Sequence, residues 1–397
     1  MSTQTAAVAL RPTTSPVALA PRRRRPRFGL LGHAPGLDGL RGLAVLLIMT
    51  YHFVGHYVLK GAWASLDMFF ALSGFLITAL ILDEVRVHGR VDLRLFYARR
   101  AFRLLPALFA MLALWVVMLL LFHDSGWFAA TPSSDGTGRA VDVGGALRDV
   151  GVALVYFANW NVISGGMEAP LSHLWSLAVE EQFYIVWPTL LLGLLLVARR
   201  PRLALVGLTI AVSAALPWVV WNGGAGKNHI YFGTDTRAAS LLAGAFAALV
   251  WHERHAAGRV ARFAATRAWV GVAVMAWAVV FMTESWAKYV VIPAVTALCV
   301  SQLVPFLADN RPGLLTKAFS WRPLVWVGKR SYALYLWHYL WATWTHPMSL
   351  WVGVPIGVAG AFACTWLSWR YVETPALAYS RRFRVSTAPS RAERAAA

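Results

Sequence analysis

Charge is the first scarcity. Only 14% of the 397 residues are Asp, Glu, Lys or Arg, where a soluble domain carries about a quarter; this excludes an ordinary soluble fold. Acid is scarcer still, with 18 carboxylates against 37 Lys and Arg. Cysteine is nearly missing: Cys299 and Cys364 stand in separate apolar stretches. That excludes a disulfide framework and a thiolate metal site, so both read as small buried hydrophobes. No internal repeat is found. The apolar segment behind RRRRPR at 22–27 is broken by Asp38 and Arg41 and lacks a small-residue cleavage site, so the first span is expected to be an uncleaved anchor.

What is abundant is apolar: 58% of the chain, with 20 Trp. These residues come in blocks near twenty long, enough for a helix to cross a hydrocarbon core of roughly 30 Å. The expected fold class is an all-α integral membrane protein, a bundle of about ten transmembrane helices with both termini cytoplasmic. Spans are predicted near 37–58, 65–82, 104–122, 176–198, 204–221, 236–251, 268–283, 288–307, 331–348 and 350–371. The stretch 146–160 is apolar but short, which suits an interfacial or re-entrant piece. Residues 1–30 and 376–397 read as cytoplasmic tails, the first basic and disordered. Residues 36–375 form the membrane domain.

The net charge of +19 raises nucleic acid as a partner, but its distribution argues otherwise. With the N-terminus inside, cytoplasmic segments hold 29 Lys and Arg and outer loops only five. Such asymmetry is a topology signal, and no nucleic-acid partner is needed. The expected location is the cytoplasmic membrane of a bacterium. No signal for an oligomeric state is present.

Ionisable groups inside a bilayer are costly, so each is a functional candidate. In span one, LDGLRGLAVLLIMTYHFVGHYVL, a 100° turn per residue sets Asp38, Arg41, His52 and His56 on one stripe about 60° wide. Arg41 and His52 lie roughly 16 Å apart at the helical rise. The face of span two carrying Asp67, Ala71, Gly74 and Thr78 is small enough for close helix approach; Asp67 needs a partner, from a span-one histidine or from an arginine. In span four, His173, Ser176, Glu180 and Tyr184 share a face, and Glu181 points away. Span nine aligns Ser331, Tyr335, His338 and Thr345, with His338 either functional or a packing histidine that donates to a backbone carbonyl. Arg237, at the outer end of span six, either snorkels outward or pairs with a carboxylate. The expected cytoplasmic loop 83–103 holds Arg99, Arg100 and Arg103 among six arginines, whose forks suit phosphate as well as anchoring.

LDGLRGLAVLLIMTYHF, SLDMFFALSGFLIT, YARRAFRLLP, LSHLWSLAVEEQFYIVWP, TDTRAASLLAGAFAA and GKRSYALYLWHYLW occur in an order that resembles the acyltransferase family 3 membrane proteins, bacterial multi-pass enzymes that O-acylate sugars and related acceptors. The resemblance covers about residues 36–375. Its pattern of an Arg, ten residues and a His falls on Arg41 and His52, the pair the helical projection also selects. It implies importance for Asp67, Glu180, Glu181, Arg99, Arg100 and Arg103. Many relatives carry an acidic residue shortly after the arginine of TDTRA, where this chain has Ala239. Some add a soluble esterase-like domain, which is expected to be absent here; the stand-alone form resembles enzymes acting on macrolide sugars and on polysaccharides.

The resemblance implies acyl-CoA as donor, no metal, and a hydroxyl of a sugar-containing acceptor, a macrolide sugar or a cell-envelope glycan. His52 would be the general base, Asp67 or Glu180 its orienting group, and Arg41, Arg99, Arg100 and Arg103 the phosphate contacts. A transporter or flippase would also use a polar track. Against it, no second copy of the Arg/His face appears, and Pro188 and Pro293 are not in matched positions.

Overall fold

The computed structural model describes residues 32, 34–55, 58–123, 142–167, 169–224, 226–256, 264–282 and 290–380. Both predicted tails fall almost wholly outside these residues, as does His56. Among the described residues the regular elements are helices, with no strand.

Helix α1 spans Pro35–Val54, and its proline at the first turn lacks only an amide that would have no helical partner there. Helix α2 spans Ser65–His88 and ends at Gly89, whose φ of 71° is the left-handed value a side chain resists. Asp92 then caps α3, Leu93–Phe122, by accepting from the amide of Leu95 at 3.1 Å. Short helices follow at Val143–Leu154 (α4), Ala158–Ile163 (α5) and Ala169–Ser172 (α6). Next come α7 (Leu174–Leu195), α8 (Arg199–Asn222), the short α9 (Lys227–Phe232) and α10 (Thr234–Ala256). Helices α11 (Ala264–Phe281) and α12 (Ile292–Ala308) precede two short ones, α13 (Leu314–Phe319) and α14 (Arg322–Lys329). The chain closes with α15 (Ser331–Thr345), α16 (Leu350–Ser368), a π-helical turn at Trp369–Glu373, and α17 (Thr374–Ser380).

Each of the ten predicted spans overlaps a described helix. Five stretches among the described residues are long and apolar enough to cross a membrane: Pro35–Val54, Ala62–His88, Leu93–Phe122, Arg199–Asn222 and Leu350–Ser380. Helices α7 and α10 miss that measure because they carry Glu180, Glu181, Asp235 and Arg237 among apolar neighbours, and α15 is only 15 residues long. The stretch 146–160 is not one piece but most of α4 and the start of α5, both too short to span.

One boundary is corrected. The expected loop 83–103 is mostly helix, because Asp92 starts α3 eleven residues ahead of the apolar block. Arg99, Arg100 and Arg103 therefore stand on a rigid helix. Only residues 89–92 connect α2 to α3.

Helices α1, α2, α7, α10 and α15 supply most of the main buried cluster. Helix α8 leaves Leu208, Val212, Trp218 and Val219 exposed, and α16 leaves Trp351 and Trp366 exposed, as apolar faces do when lipid is the solvent. A tight contact sets α2 against α10. A Cβ on Gly74 would overlap the carbonyl of Leu241, and one on Gly244 the carbonyl of Ala71, so the small face of α2 brings two backbones together. Thr78 ties this seam to α7: its hydroxyl donates to Gly74 O at 2.7 Å and accepts from Trp187 Nε1 at 2.8 Å.

Gly74→Leu should force α2 and α10 apart and destabilise the fold by at least about 1–3 kcal/mol, whereas Gly207→Leu, where an added Cβ meets nothing, should leave Tm nearly unchanged. Thermal unfolding of the purified proteins checks this; equal Tm for both variants would refute the close seam.

Candidate active site

The stripe on α1 joins two ends of the bundle. Near its C-terminus, His52 Nδ1 lies 2.9 Å from Nε2 of His338, and the two rings are nearly parallel with centroids 5.1 Å apart. His338 is fully buried and donates from Nδ1 to Tyr335 O at 2.7 Å and Leu334 O at 3.1 Å. It is thus both the packing histidine and a partner of His52. Tyr339 presents its ring edge-on to His52 at 4.7 Å, and His173 stacks on Tyr339 at 4.8 Å. A cavity of about 260 Å³ opens here, walled by Tyr51, His52, His173, Trp175, Tyr231 and Tyr339, with Lys227 and Asn228 at its exposed edge.

Near the start of the same helix lie two cavities that share Arg41, Arg100, Arg103 and Tyr184. One, about 270 Å³, adds Ser73, Glu180, Lys329 and Glu373; the other, about 510 Å³, adds Asp38, Glu84 and Arg99. Arg100 forks onto Glu181 with contacts of 3.0 and 2.5 Å and covers the Tyr184 ring at 3.3 Å. Glu181 thus does point away from Glu180, and α3 supplies its counter-charge. Arg99 meets Glu84 at 3.3 Å. Arg41 and Arg103 form no ion pair with a described carboxylate, although Asp38, Glu84, Glu180 and Glu373 line the same cavities. Such arginine forks, pre-shaped for oxyanions, fit phosphate.

The two ends approach at Leu66 and Tyr335, which line both the histidine-side cavity and the 270 Å³ cavity. Tyr335 donates its hydroxyl to His173 O at 2.8 Å and accepts from Ser176 at 2.6 Å. Glu180 accepts from Ser73 and, at 3.4 Å, from Tyr184. The predicted faces of α7 and α15 therefore meet each other.

Asp67 takes the arginine of its two expected partners. It makes no contact with His52. It is 1% exposed and binds Arg237 Nη1 at 3.2 and 3.3 Å and Ser240 Oγ at 2.7 Å. A carboxylate this deep needs a full counter-charge, which a guanidinium supplies and a neutral imidazole does not. Arg237 also donates to Tyr231 O at 2.8 Å and lies 4.5 Å from that ring. The pair thus braces α9, which walls the histidine-side cavity. Arg237, which sequence left between snorkelling and pairing, is paired. Glu180 likewise does not touch His52; Ser73 and Tyr184 hold it at the other end.

Sequence reasoning missed Lys329, Glu373, Tyr231 and Tyr339 as lining residues. The π-helical turn at Trp369–Glu373 is a feature frequent at functional sites, and it sets Glu373 into the wall; no periodicity announces it. No group of three or more His, Cys, Asp or Glu able to hold a metal occurs among the described residues.

Apolar helices around a buried polar track define a helical membrane protein with an internal site. The chain belongs to acyltransferase family 3, whose model, described as an acyltransferase domain, matches residues 35–370. It is similar to the peptidoglycan O-acetyltransferase OatA of Listeria monocytogenes, 32% identical over 365 residues, 86% of this chain and 56% of that protein. It is 34% identical over 322 residues to Bacillus subtilis YrhL, provisionally named a peptidoglycan O-acetyltransferase, covering 77% and 48% of the two chains. It is also 31% identical over 375 residues, 88% of this chain and 58% of the other, to a provisionally named O-acetyltransferase of Staphylococcus aureus. The chain spans about half the length of these relatives. No solved structure matches it.

Arg237→Met leaves Asp67 buried without its counter-charge and should cost about 3–5 kcal/mol. The double variant Asp67→Asn/Arg237→Met should recover part of that loss. Tm measurements on both decide; a fully stable single variant would contradict the ion pair.

Proposed function

We propose that this protein is an O-acyltransferase of the bacterial cytoplasmic membrane that moves an acyl group from cytoplasmic acyl-CoA to a hydroxyl of a cell-envelope glycan, with peptidoglycan the foremost acceptor. The observation that carries the reading is the polarity of α1. One end meets cavities lined by Arg41, Arg99, Arg100 and Arg103; the other, roughly 16 Å along the helix, presents His52 to a separate aromatic-walled cavity.

On this reading the bundle has ten spans with both termini inside, the orientation that the 29-to-5 division of Lys and Arg favours. The arginine end then faces the cytoplasm, where acyl-CoA is made, and Arg41 and Arg103 hold its phosphates. Arg100, already forked onto Glu181, contributes field and shape. The pantetheine arm is comparable in length to the distance from Arg41 to His52, so the thioester reaches the junction at Leu66 and Tyr335. The acceptor enters from the other side, where aromatic faces suit the apolar faces of a sugar ring.

His52 acts as general base. It takes the proton of the acceptor hydroxyl as that oxygen attacks the thioester carbonyl, and it returns the proton to the departing thiolate. The products are an ester and free CoA. Asp67 and Glu180 serve the architecture of the two cavities, since neither touches the base. A glycan is favoured over a macrolide sugar as acceptor because the relatives with an acceptor in their names carry peptidoglycan there.

Membranes carrying the protein should release CoA from acetyl-CoA in step with mass gain of a glycan acceptor. His52→Ala should lower kcat by about 10²–10⁴ with insertion and Tm unchanged, and Arg103→Ala should raise KM for the donor at least tenfold. Full activity of a folded His52→Ala would sink the assignment.

A further inference from the structure

The protons on the two histidines follow from one fact: a backbone carbonyl can only accept. His338 Nδ1 faces Tyr335 O at 2.7 Å and Leu334 O at 3.1 Å, so Nδ1 bears a proton. His338 is fully buried, and no described carboxylate contacts it. An imidazolium there would be an uncompensated buried charge, so the ring is neutral and its Nε2 is bare. His52 Nδ1 lies 2.9 Å from that bare nitrogen and must be the donor. No described carboxylate pairs with His52 either, so its ring too is neutral, and its Nε2 is the unprotonated atom. His52 lines the histidine-side cavity, whereas His338 does not.

We propose that His338 is a positioning residue that fixes His52 in its Nδ1–H tautomer, presents Nε2 as the basic atom, and receives part of the proton's charge during transfer. The role in catalysis rests on His52 being the general base; the tautomer assignment does not. A free imidazole prefers its proton on Nε2, which would leave the base facing the wrong way. The bond to His338 reverses that preference, the task that a carboxylate performs in a Ser-His-Asp site.

The proton balance closes. The acceptor O–H bond breaks as its oxygen bonds to the thioester carbon, and the proton moves to His52 Nε2. The Nδ1 proton of His52 then lies between it and His338 Nε2, spreading the positive charge over two rings. The second ring stays anchored through Nδ1–H to the two helix carbonyls. As the C–S bond breaks, the thiolate takes the proton from His52 Nε2, and both rings return to their starting tautomers.

The test uses the full-length protein in lipid. ¹⁵N NMR of labelled histidine, assigned by signals lost in His52→Ala and His338→Leu, should show His52 and His338 each protonated at Nδ1 and bare at Nε2. In His338→Leu the proton of His52 should move to Nε2. That variant should lose about 10²-fold in kcat with KM for donor and acceptor within about threefold. His338→Gln, whose side-chain carbonyl accepts from His52 but cannot take its proton, should restore kcat at least tenfold over His338→Leu. A wild-type His52 protonated at Nε2 would overturn the proposal, as would a His338→Leu enzyme with full kcat. If His338→Leu does not fold, the wild-type spectrum, with the His338 signals assigned from those lost in His338→Gln, still decides. An active His52→Ala would remove the base itself; an inactive His52→Ala beside a fully active His338→Leu would remove only the relay.

Discussion

A charge withdrawn from water between helices must find its opposite inside the bundle, and losing one partner of such a pair is among the costliest changes a fold can suffer. Among the described residues, two such pairs also frame the site. Asp67 with Arg237 joins α2 to α10 across the seam where Gly74 and Gly244 let the backbones touch. Arg100 with Glu181 joins α3 to α7. Small residues bring the first two helices close enough for a short buried bridge, and the bridge in turn fixes their register. The rest of the site hangs on these two clasps: α9 is braced by Arg237, and Tyr184 is covered by Arg100.

What remains after those pairings is chemically informative. Arg41 and Arg103 line the cavities near the start of α1, and His52 lines the cavity near its end. Fold and function therefore divide the ionisable residues between them. Paired charges hold helices, and on the proposed reading Arg41, Arg103 and His52 are left to meet the substrates. Tyr335 belongs to both groups, since its hydroxyl secures α15 to α7 while its ring forms part of the wall between the two ends.

Much of this was legible in the sequence where one helix carries the information. A period of 3.6 places Asp38, Arg41 and His52 together, collects Ser176, Glu180 and Tyr184, and exposes the small face of α2. Partnerships between helices were not legible. Asp67 and Arg237 are 170 residues apart, and nothing local to Asp67 says that an arginine and not His52 will reach it. The arginine-rich stretch was misread as a loop because charge density outweighed the quieter signs of a helix start, Gly89 and the Asp92 cap. Glu373 was passed over because a π-helical turn, unlike an amphipathic helix, leaves no period to read. Membership of acyltransferase family 3 was legible, because its motifs coincide with the residues that burial and periodicity select.

The central claim is that donor and acceptor are handled at opposite ends of α1, hence on opposite sides of the membrane. Proteoliposomes sorted by the accessibility of an N-terminal tag, with acetyl-CoA sealed on one side and a glycan acceptor on the other, test this directly. The account predicts acylated glycan when acetyl-CoA is on the side of the N-terminus and the acceptor opposite, and none when the two are exchanged. Product that forms only when both substrates share one side would contradict it.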